Sequence, residues 1–221
     1  GYVMETLKLQ RASLDFGVRV ERTSADYTGF KVLSDAKGHY VSTTPVSGSN
    51  SYTDALPSLN LRYEIDPRTN FRLAYGRGLS RPNFADLPPF LVENDRRGTL
   101  SAGNPNLKPT HANSYDLLLE RYLTTVGYVS LGAFYKELRD PIYRAQTGVA
   151  AGPFAGFTQS QPINGQKASI SGVEASWQQH LSFLPGALKD LGVLANYSYT
   201  RSRAKVPGRK DDPALLRTTP K

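Results

Sequence analysis

Apolar and polar residues alternate with a period of two along most of the chain. In residues 61–79, LRYEIDPRTNFRLAYGRGL, the apolar side chains of Leu61 and Ile65 alternate with charged ones, the chain turns at Asp66-Pro67-Arg68-Thr69, and alternation resumes from Phe71. The segments ASLDFGVRVE, SYDLLLERY, GVEASWQQHL and GVLANYSYT repeat this pattern, whereas YVSLGAFYKE follows it less well because Phe134 falls on the polar side. Such alternation is typical of half-exposed strands, and no comparable stretch has helical spacing. The pattern therefore predicts a nearly all-β chain.

The connections between the predicted strands alternate between short and long. Short ones lie at residues 10–12, 66–69, 124–126 and 184–186, and long ones at residues 23–51, 81–112, 140–167 and from 202 onward. Successive connections of an up-and-down antiparallel sheet lie at opposite ends, so one rim is expected to carry tight turns and the other large loops. Unstructured connections longer than about 12 to 15 residues are usually functional.

Two architectures fit an alternating sheet of this kind. In a soluble sandwich two apolar faces meet in a core, and in an outer-membrane barrel the apolar face meets lipid while the polar face lines the interior. The predicted strands run to about ten residues, close to the roughly 9 to 11 that cross a bilayer at a tilt. Aromatic residues on the apolar face lie near strand ends, as an interfacial girdle requires: Tyr63, Phe71, Tyr115, Tyr135, Trp177 and Tyr199. Glycines fall on the polar face at Gly76, Gly78, Gly132 and Gly192. These features favour the barrel, and a sandwich with an aromatic core stays open.

Composition narrows the classes of function. Hydrophobic residues make up 39% of the chain and the mean hydropathy is −0.43. No apolar run reaches the roughly 18 residues of a membrane-spanning helix. The net charge of +8 comes from basic residues spread along the chain, which argues against a nucleic-acid partner. There is no cysteine, and the three histidines are scattered, so neither a disulfide framework nor a metal site is expected.

The sequence offers little catalytic chemistry. Gly76-Arg77-Gly78 lacks the remaining pattern of a phosphate-binding loop, and no serine lies in a nucleophile elbow. We therefore expect neither an enzyme nor a bound cofactor.

One order of motifs points to a family. GNPNLKPTHANSYDLLLERY followed by VSLGAFYKELRDPIY resembles the TonB-dependent outer-membrane receptors, in which a surface loop ends in a Leu-x-Pro stretch, here Leu107 to Pro109. The chain then descends through Tyr115-Asp116 and rises through Phe134-Tyr135 to Asp140-Pro141-Ile142. LPSLNLRYEIDPRTNFRLAYGRGLSRPNF, SISGVEASWQQHL and LGVLANYSYTRS look like further hairpins, so the resemblance covers about residues 52–202. The loops are most similar to the branch associated with oligosaccharide uptake.

The resemblance implies a partial barrel. Family members have roughly 22 strands and an N-terminal plug domain, with a TonB box that recruits the energising TonB protein. This chain has room for about eight strands, so residues 1–221 are expected to be part of a single antiparallel up-and-down transmembrane β-barrel domain. The plug domain, the TonB box and the closing strands are expected to be absent from this piece. An eight-stranded barrel standing alone is the competing reading.

The resemblance also implies ligand uptake across the outer membrane of a Gram-negative bacterium. Expected partners are outer-membrane lipid, the TonB-ExbB-ExbD complex acting through the plug, and an oligosaccharide or siderophore-like ligand. Arginines with aromatic rings suit an acidic group or a sugar face. The candidate ligand-binding residues of the two loops are Phe90, Asp95, Arg96, Arg97, Tyr143, Phe154, Phe157 and Gln161. Pairing of the arginines with nearby carboxylates is the alternative reading.

Charges on the polar face are expected to be structural. Opposite signs would lie side by side on adjacent strands and satisfy each other in a wet wall: Arg62, Glu64, Arg72, Asp116, Glu120 and Glu174. Two other functions stay open, namely a passive porin-like channel and a soluble β-sandwich module that binds carbohydrate.

Overall fold

The computed structural model describes residues 1–34, 39–94, 97–123, 126–149, 152 and 154–205. This part of the chain contains twelve strands: β1 (Tyr2–Lys8), β2 (Ala12–Ser34), β3 (Tyr40–Asp66), β4 (Thr69–Ser80), β5 (Leu91–Asn94), β6 (Thr99–Ala102), β7 (Thr110–Tyr122), β8 (Gly127–Arg139), β9 (Ile142–Gly148), β10 (Thr158–Asn164), β11 (Lys167–His180) and β12 (Gly192–Ala204). Two short 3-10 helices lie at Phe84–Asp86 and Gly186–Asp190. Among the described residues no helix has the length and hydropathy to cross a membrane. The nearly all-β prediction is confirmed.

All twelve strands belong to one sheet. The long strands follow one another as β1-β2-β3-β4-β7-β8-β11-β12, and each neighbouring pair is antiparallel. The first and last of these strands do not pair with each other in the described structure, so the sheet is open. The eight long strands in up-and-down order agree with the predicted number.

The hairpin of residues 61–79 forms as its sequence predicts. β3 ends at Asp66 and β4 begins at Thr69, and the Asp66 carboxylate accepts a hydrogen bond of 2.8 Å from the Arg68 backbone N–H. Such a side-chain bond to the backbone two residues on stabilises a tight turn. Leu61 lies directly opposite Leu73, and Arg62 opposite Arg72. The cross-strand register therefore gives the hairpin one apolar and one polar face.

The apolar face continues across the sheet and is not covered by a second layer. Leu73, Leu117 and Ala133 lie in one cross-strand row, as do Phe71, Leu119 and Leu131. Leu117 is 46% exposed and Leu131 is 59% exposed. A sandwich would bury these side chains between two sheets, so the β-sandwich alternative is wrong.

The polar face carries the paired charges that the sequence suggested. Arg72 donates a hydrogen bond of 2.6 Å from Nε to Oε2 of Glu120, and the Tyr128 hydroxyl donates to Oε1 of the same carboxylate at 3.2 Å. Arg62 contacts Glu64 at 3.0 Å. Arg72 and Glu120 therefore pair across adjacent strands as expected, whereas Arg62 pairs along its own strand and lies opposite the like charge of Arg72.

Phe134, which breaks the alternation, has a structural reason to lie on the polar face. A Cβ atom at Gly172, directly opposite on β11, would lie 2.6 Å from Cζ of Phe134, with the Tyr199 carbonyl oxygen closer still. The phenyl ring therefore covers a position that only glycine can occupy.

The prediction of a long loop over residues 23–51 is wrong. β2 and β3 stay paired from Ala12 opposite Tyr63 up to Ser34 opposite Tyr40, so this region is an extension of the hairpin. Its Ser- and Thr-rich sequence does not alternate apolar with polar residues, which is why the strand pattern was missed. The other two described long connections also contain strands, namely β5 and β6 in the first and β9 and β10 in the second.

Candidate ligand-binding loop assembly

The two long connections and the extended hairpin form one unit, here called the loop assembly. It consists of the described parts of residues 81–109 and 140–166 and of the distal ends of β2 and β3. β5 pairs in parallel with β2 at Lys31 and Val32, and β5 and β6 form a hairpin. β6 then pairs in parallel with β10, which pairs with β9. Backbone hydrogen bonds therefore join both connections to the extended hairpin.

The loop assembly has an apolar core of its own. Leu107 is completely buried, Leu100 is 3% exposed, Leu87 is 4% exposed, and Pro162 is also among the fully buried side chains. Most other large apolar side chains of the described residues lie on the exposed face of the sheet. Burying a leucine contributes about 1.5 to 3 kcal/mol, so this core favours a defined arrangement of the loops.

Asparagine side chains join the separate segments at polar positions. Asn104 donates to the Pro162 carbonyl at 3.0 Å, and Asn50 donates to the Leu107 carbonyl at 2.9 Å. The Asn164 amide accepts from the Lys108 backbone N–H and donates to the Lys108 carbonyl, both at 2.9 Å. An amide that pairs with both backbone groups of one residue mimics a strand pairing. These contacts fix the two connections against each other and against the hairpin.

Two predicted ligand-binding residues serve the internal structure. Gln161 donates from Nε2 to the Gly103 carbonyl at 2.9 Å and accepts from Gln159 at 3.3 Å. Phe90 is half-buried, and its ring lies against Gly103, where a Cβ would be 2.9 Å from ring atom Cε1. Both side chains are engaged within the loop assembly.

The other aromatic candidates lie in the connection that carries β9 and β10. Phe154 and Phe157 are half-exposed at the tip of the β9–β10 hairpin, with ring centroids 5.8 Å apart and tilted by 53°. Gly152 and Gly156 have φ values of +87° and +89°, which allow the tight turns around this pair. Tyr143 is half-buried beside Gly165, and burial raises the pKa of its hydroxyl. The hairpin tip therefore presents two adjacent aromatic rings.

Among the charged candidates, Arg97 is exposed and its backbone N–H donates to the Asn94 side chain at 3.3 Å. Asp95 and Arg96 lie outside the described residues.

Sequence reasoning missed an exposed aromatic and its charged neighbours. Phe84 is 77% exposed in a 3-10 helix whose first turn is capped by the Asn83 side chain. Asp86, at the end of this helix, binds Arg144 of the other connection at 2.6 Å. The first connection thus carries an exposed phenyl ring, and the nearby ion pair engages the Arg144 guanidinium with Asp86. The signal in the sequence was RPNFADLPPF, in which Asn83 precedes the helix as a cap.

A cleft lies where β3 and β4 separate. The backbone pairing of β3 with β4 ends at Ser58 opposite Gly76. Closer to the loops, side-chain contacts link the segments on the two sides of the gap. His111 contacts Asp54 at 2.6 Å, and Arg81 contacts Glu21 at 2.6 Å. The adjacent cleft has a volume of ≈ 490 Å³ and is lined by Arg19, Arg77 and Arg81 among others. No group of three or more His, Asp or Glu residues of the described structure is arranged to hold a metal ion.

An open sheet with one apolar exposed face, tight turns at one rim and packed loops at the other defines part of an outer-membrane β-barrel. The family model "TonB dependent receptor-like, beta-barrel" matches residues 1–221. The chain belongs to this family. The apolar face is therefore the lipid-facing side of a barrel wall and the polar face the inner side. No curated protein matches the chain.

Solved structures with a similar fold include a transporter and two import receptors. The copper transporter OprC shares 17% identity and a TM-score of 0.62, over 88% of this chain and 27% of that one. The ferric-catecholate import receptor Fiu from K12 E. coli shares 16% identity and a TM-score of 0.60, over 92% and 27%. A ferric enterobactin receptor (PfeA) from Pseudomonas aeruginosa, in complex with enterobactin, shares 18% identity and a TM-score of 0.57, over 90% and 34%. The chain thus spans about a third or less of the length of these receptors.

Proposed function

We propose that this chain is part of an importer in the outer membrane of a Gram-negative bacterium and that the loop assembly captures the imported ligand. The observation that carries the proposal is the packed core of the loop assembly around Leu107, which makes the loops a built structure at one rim of the barrel wall. A scaffold that holds its segments in place presents ligand-contacting side chains at low cost in conformational entropy.

The proposed contact surface combines aromatic rings with exposed arginines. Phe154 and Phe157 at the hairpin tip supply two tilted rings, and Phe84 supplies a third at the start of the first connection. Arg97 supplies a guanidinium group for acidic or oxygen-rich ligand atoms, and Arg144 would contribute only the N–H donors that its ion pair with Asp86 does not use. Asp95, Arg96 and Tyr143 stay in the proposal, whereas Phe90 and Gln161 are assigned to scaffold positions.

The ligand class proposed is an oligosaccharide or a siderophore-type iron complex. Aromatic side chains stack against sugar rings and against the rings of catecholates alike. The siderophore alternative is supported by the names of two similar structures. Fiu is a ferric-catecholate import receptor, and the Pseudomonas protein is a ferric enterobactin receptor. The oligosaccharide alternative is supported by the resemblance of the loop sequences to the branch associated with oligosaccharide uptake.

Energy for uptake is proposed to come from the TonB-ExbB-ExbD complex acting through a plug domain. Residues 1–221 are proposed to form part of one barrel domain of the complete polypeptide. The paired charges of the inner wall, such as Arg72 with Glu120, keep that wall compatible with a water-filled or plug-filled interior.

The test uses cells that produce the complete natural polypeptide containing this chain. Uptake of labelled oligosaccharides and of ferric siderophores is measured in cells with and without TonB. We expect saturable, TonB-dependent uptake of one ligand class. Uptake that is linear in ligand concentration and unchanged without TonB would indicate a passive channel and overturn the proposal.

Variants locate the binding surface. Phe154→Ala/Phe157→Ala is expected to lower ligand affinity about 10-fold or more, because burial of an aromatic ring against a ligand contributes over 1 kcal/mol. The matched control is Phe183→Ala, since Phe183 is 63% exposed but lies in the β11–β12 connection at the opposite rim. Equal losses in both variants would contradict a binding role for the hairpin tip.

A further inference from the structure

Basic side chains are concentrated on the apolar face at the loop end of β8, β11 and β12. The cross-strand register places Arg139, Lys167 and Lys205 side by side, since Lys167 lies opposite Arg139 and the Lys205 backbone N–H donates to the Lys167 carbonyl at 2.8 Å. The next rows toward the membrane add Arg203, opposite Ser169, and Arg201, opposite Ser171. These five residues are called the basic cluster.

The charge of the basic cluster is poorly balanced within the described residues. All five side chains are exposed, and Glu137 pairs with Arg139 at 2.9 Å. The structure shows no carboxylate within ion-pair distance of the other four cations in the part of the chain that it describes. Like charges directly opposite each other on adjacent strands are destabilising. An anion at this position would relieve the repulsion.

The position of the basic cluster relative to the apolar band indicates which anion fits. Tyr135 lies in the same row as Ser171 and Arg201, and the next row toward the membrane contains Ala133, Val173 and Tyr199. Aromatic residues of barrels lie at the level of the lipid headgroups. The basic cluster therefore begins where hydrocarbon ends and phosphate groups lie.

A cleft at this position offers space for a headgroup. It has a volume of ≈ 320 Å³ and is lined by Tyr135, Glu137, Lys167 and Arg203 among others. Its lining joins the tyrosine ring at the membrane side to the cations at the loop side. Glu137 in this lining is held by Arg139, so Lys167, Arg203 and Lys205 are the lining cations that would meet an anionic headgroup.

We propose that the basic cluster is a binding site for the phosphate headgroup of a lipid that lies against the outer surface of the barrel. Lys167 and Arg203 contact the phosphate, and the acyl chains lie along the strip of Val173, Tyr199 and their neighbours. The site rests on the proposed function in one respect, namely the placement of the barrel in the outer membrane. It is separate from the loop assembly that captures the imported ligand.

The test measures lipid preference of the complete natural polypeptide that contains this chain. The protein is purified in mixed micelles with equal amounts of phosphatidic acid and phosphatidylcholine, and lipid adducts are counted by native mass spectrometry. We expect a preference for phosphatidic acid. Each cation near a headgroup contributes about fivefold in affinity, so Lys167→Gln/Arg203→Gln is expected to lower the preference about 25-fold.

The matched control is Lys136→Gln, because Lys136 lies on β8 between Tyr135 and Glu137 but on the inner face. We expect it to keep the full preference. Arg203→Gln alone, with an expected loss of about fivefold, serves if the double variant does not fold. An unchanged preference in the cluster variants, or an equal loss in Lys136→Gln, would overturn the site.

Two further measurements distinguish a lipid headgroup from free phosphate, and the lipid site from the proposed function. Inorganic phosphate at the lipid concentration is expected to leave the phosphatidic acid adducts in place, and displacement by it would show a site for a free anion and overturn the lipid proposal. Fractionation of the wild-type polypeptide away from the outer membrane contradicts the proposed function. An outer-membrane protein with an unchanged lipid preference in the variants contradicts the lipid site alone.

Discussion

Truncation of Leu107 tests whether the loop assembly is a packed unit. Leu107 follows β6 in the first connection, its side chain is completely buried, and its carbonyl accepts from Asn50 of the extended hairpin at 2.9 Å. Leu107→Ala removes the methine carbon and both methyl groups of the side chain from a fully buried site. Leucine-to-alanine changes at fully buried positions cost about 2 to 5 kcal/mol. We take about 3 kcal/mol as the expected loss in the free energy of opening the loop assembly.

Amide hydrogen exchange of the membrane-reconstituted complete polypeptide measures this loss. About 3 kcal/mol corresponds to roughly a 150-fold increase in the open population, so the amides of β6 and β10 are expected to exchange about two orders of magnitude faster. The barrel strands β7 and β8 open independently of the loops, so their exchange should stay within about threefold.

Leu188→Ala is the control for Leu107→Ala. Leu188 is 51% exposed in the short connection at the opposite rim, so its truncation should change no exchange rate in the loop assembly. The reasoning is refuted if Leu107→Ala leaves β10 as protected as in the wild type. It is also refuted if both variants accelerate exchange in β10 equally, because the effect would then not depend on the buried core.

The remaining predictions concern the barrel wall. Leu131→Arg places a cation on the lipid-facing side, and near the membrane midplane it is expected to lower the free energy of unfolding by about 2 to 4 kcal/mol. Ser198→Arg places the same cation on the inner face and should lower it by under about 1 kcal/mol. Folding yields in lipid vesicles measure this difference. Gly172→Ala brings a Cβ to within 2.6 Å of Phe134 and is expected to destabilise the wall by about 1 to 3 kcal/mol, whereas nothing lies within 4 Å of a Cβ at Gly76. Thermal unfolding of both glycine variants tests this, and an equal effect would contradict the close packing at Gly172.

The alternation of residues determined the strands and the two faces of the sheet. Each β residue points to the side opposite its neighbours, so the sequence around Leu61 and Arg62 sets which side chains share a face before any long-range contact forms. The turn at Asp66 to Thr69 was equally readable, because its aspartate side chain bonds to its own backbone. The order of short and long connections then indicated the up-and-down arrangement.

The strands within the long connections could not be predicted from the sequence in the same way. Ser34 opposite Tyr40 belongs to a long paired hairpin, although the sequence between residues 23 and 51 has no apolar alternation. One face of this extension is partly buried, but its residues are small or polar at Thr23, Gly29, Gly48 and Asn50, so this burial left no apolar alternation in the sequence. Strand pairing in such a segment is fixed by backbone hydrogen bonds, which leave little trace in the sequence.

The distinction between scaffold residues and surface residues in the loop assembly also depends on long-range contacts. The sequence identified aromatic and basic residues in two loops, but only tertiary contacts separate Gln161, which bonds to the Gly103 carbonyl, from Arg97, whose side chain is exposed. The ion pair of Asp86 with Arg144 joins residues 58 positions apart. Local pattern thus determined the strands and their faces, because neighbouring residues alone decide alternation. Tertiary structure decided which loop residues are scaffold and which are surface, because that depends on segments that meet only after the sheet has formed.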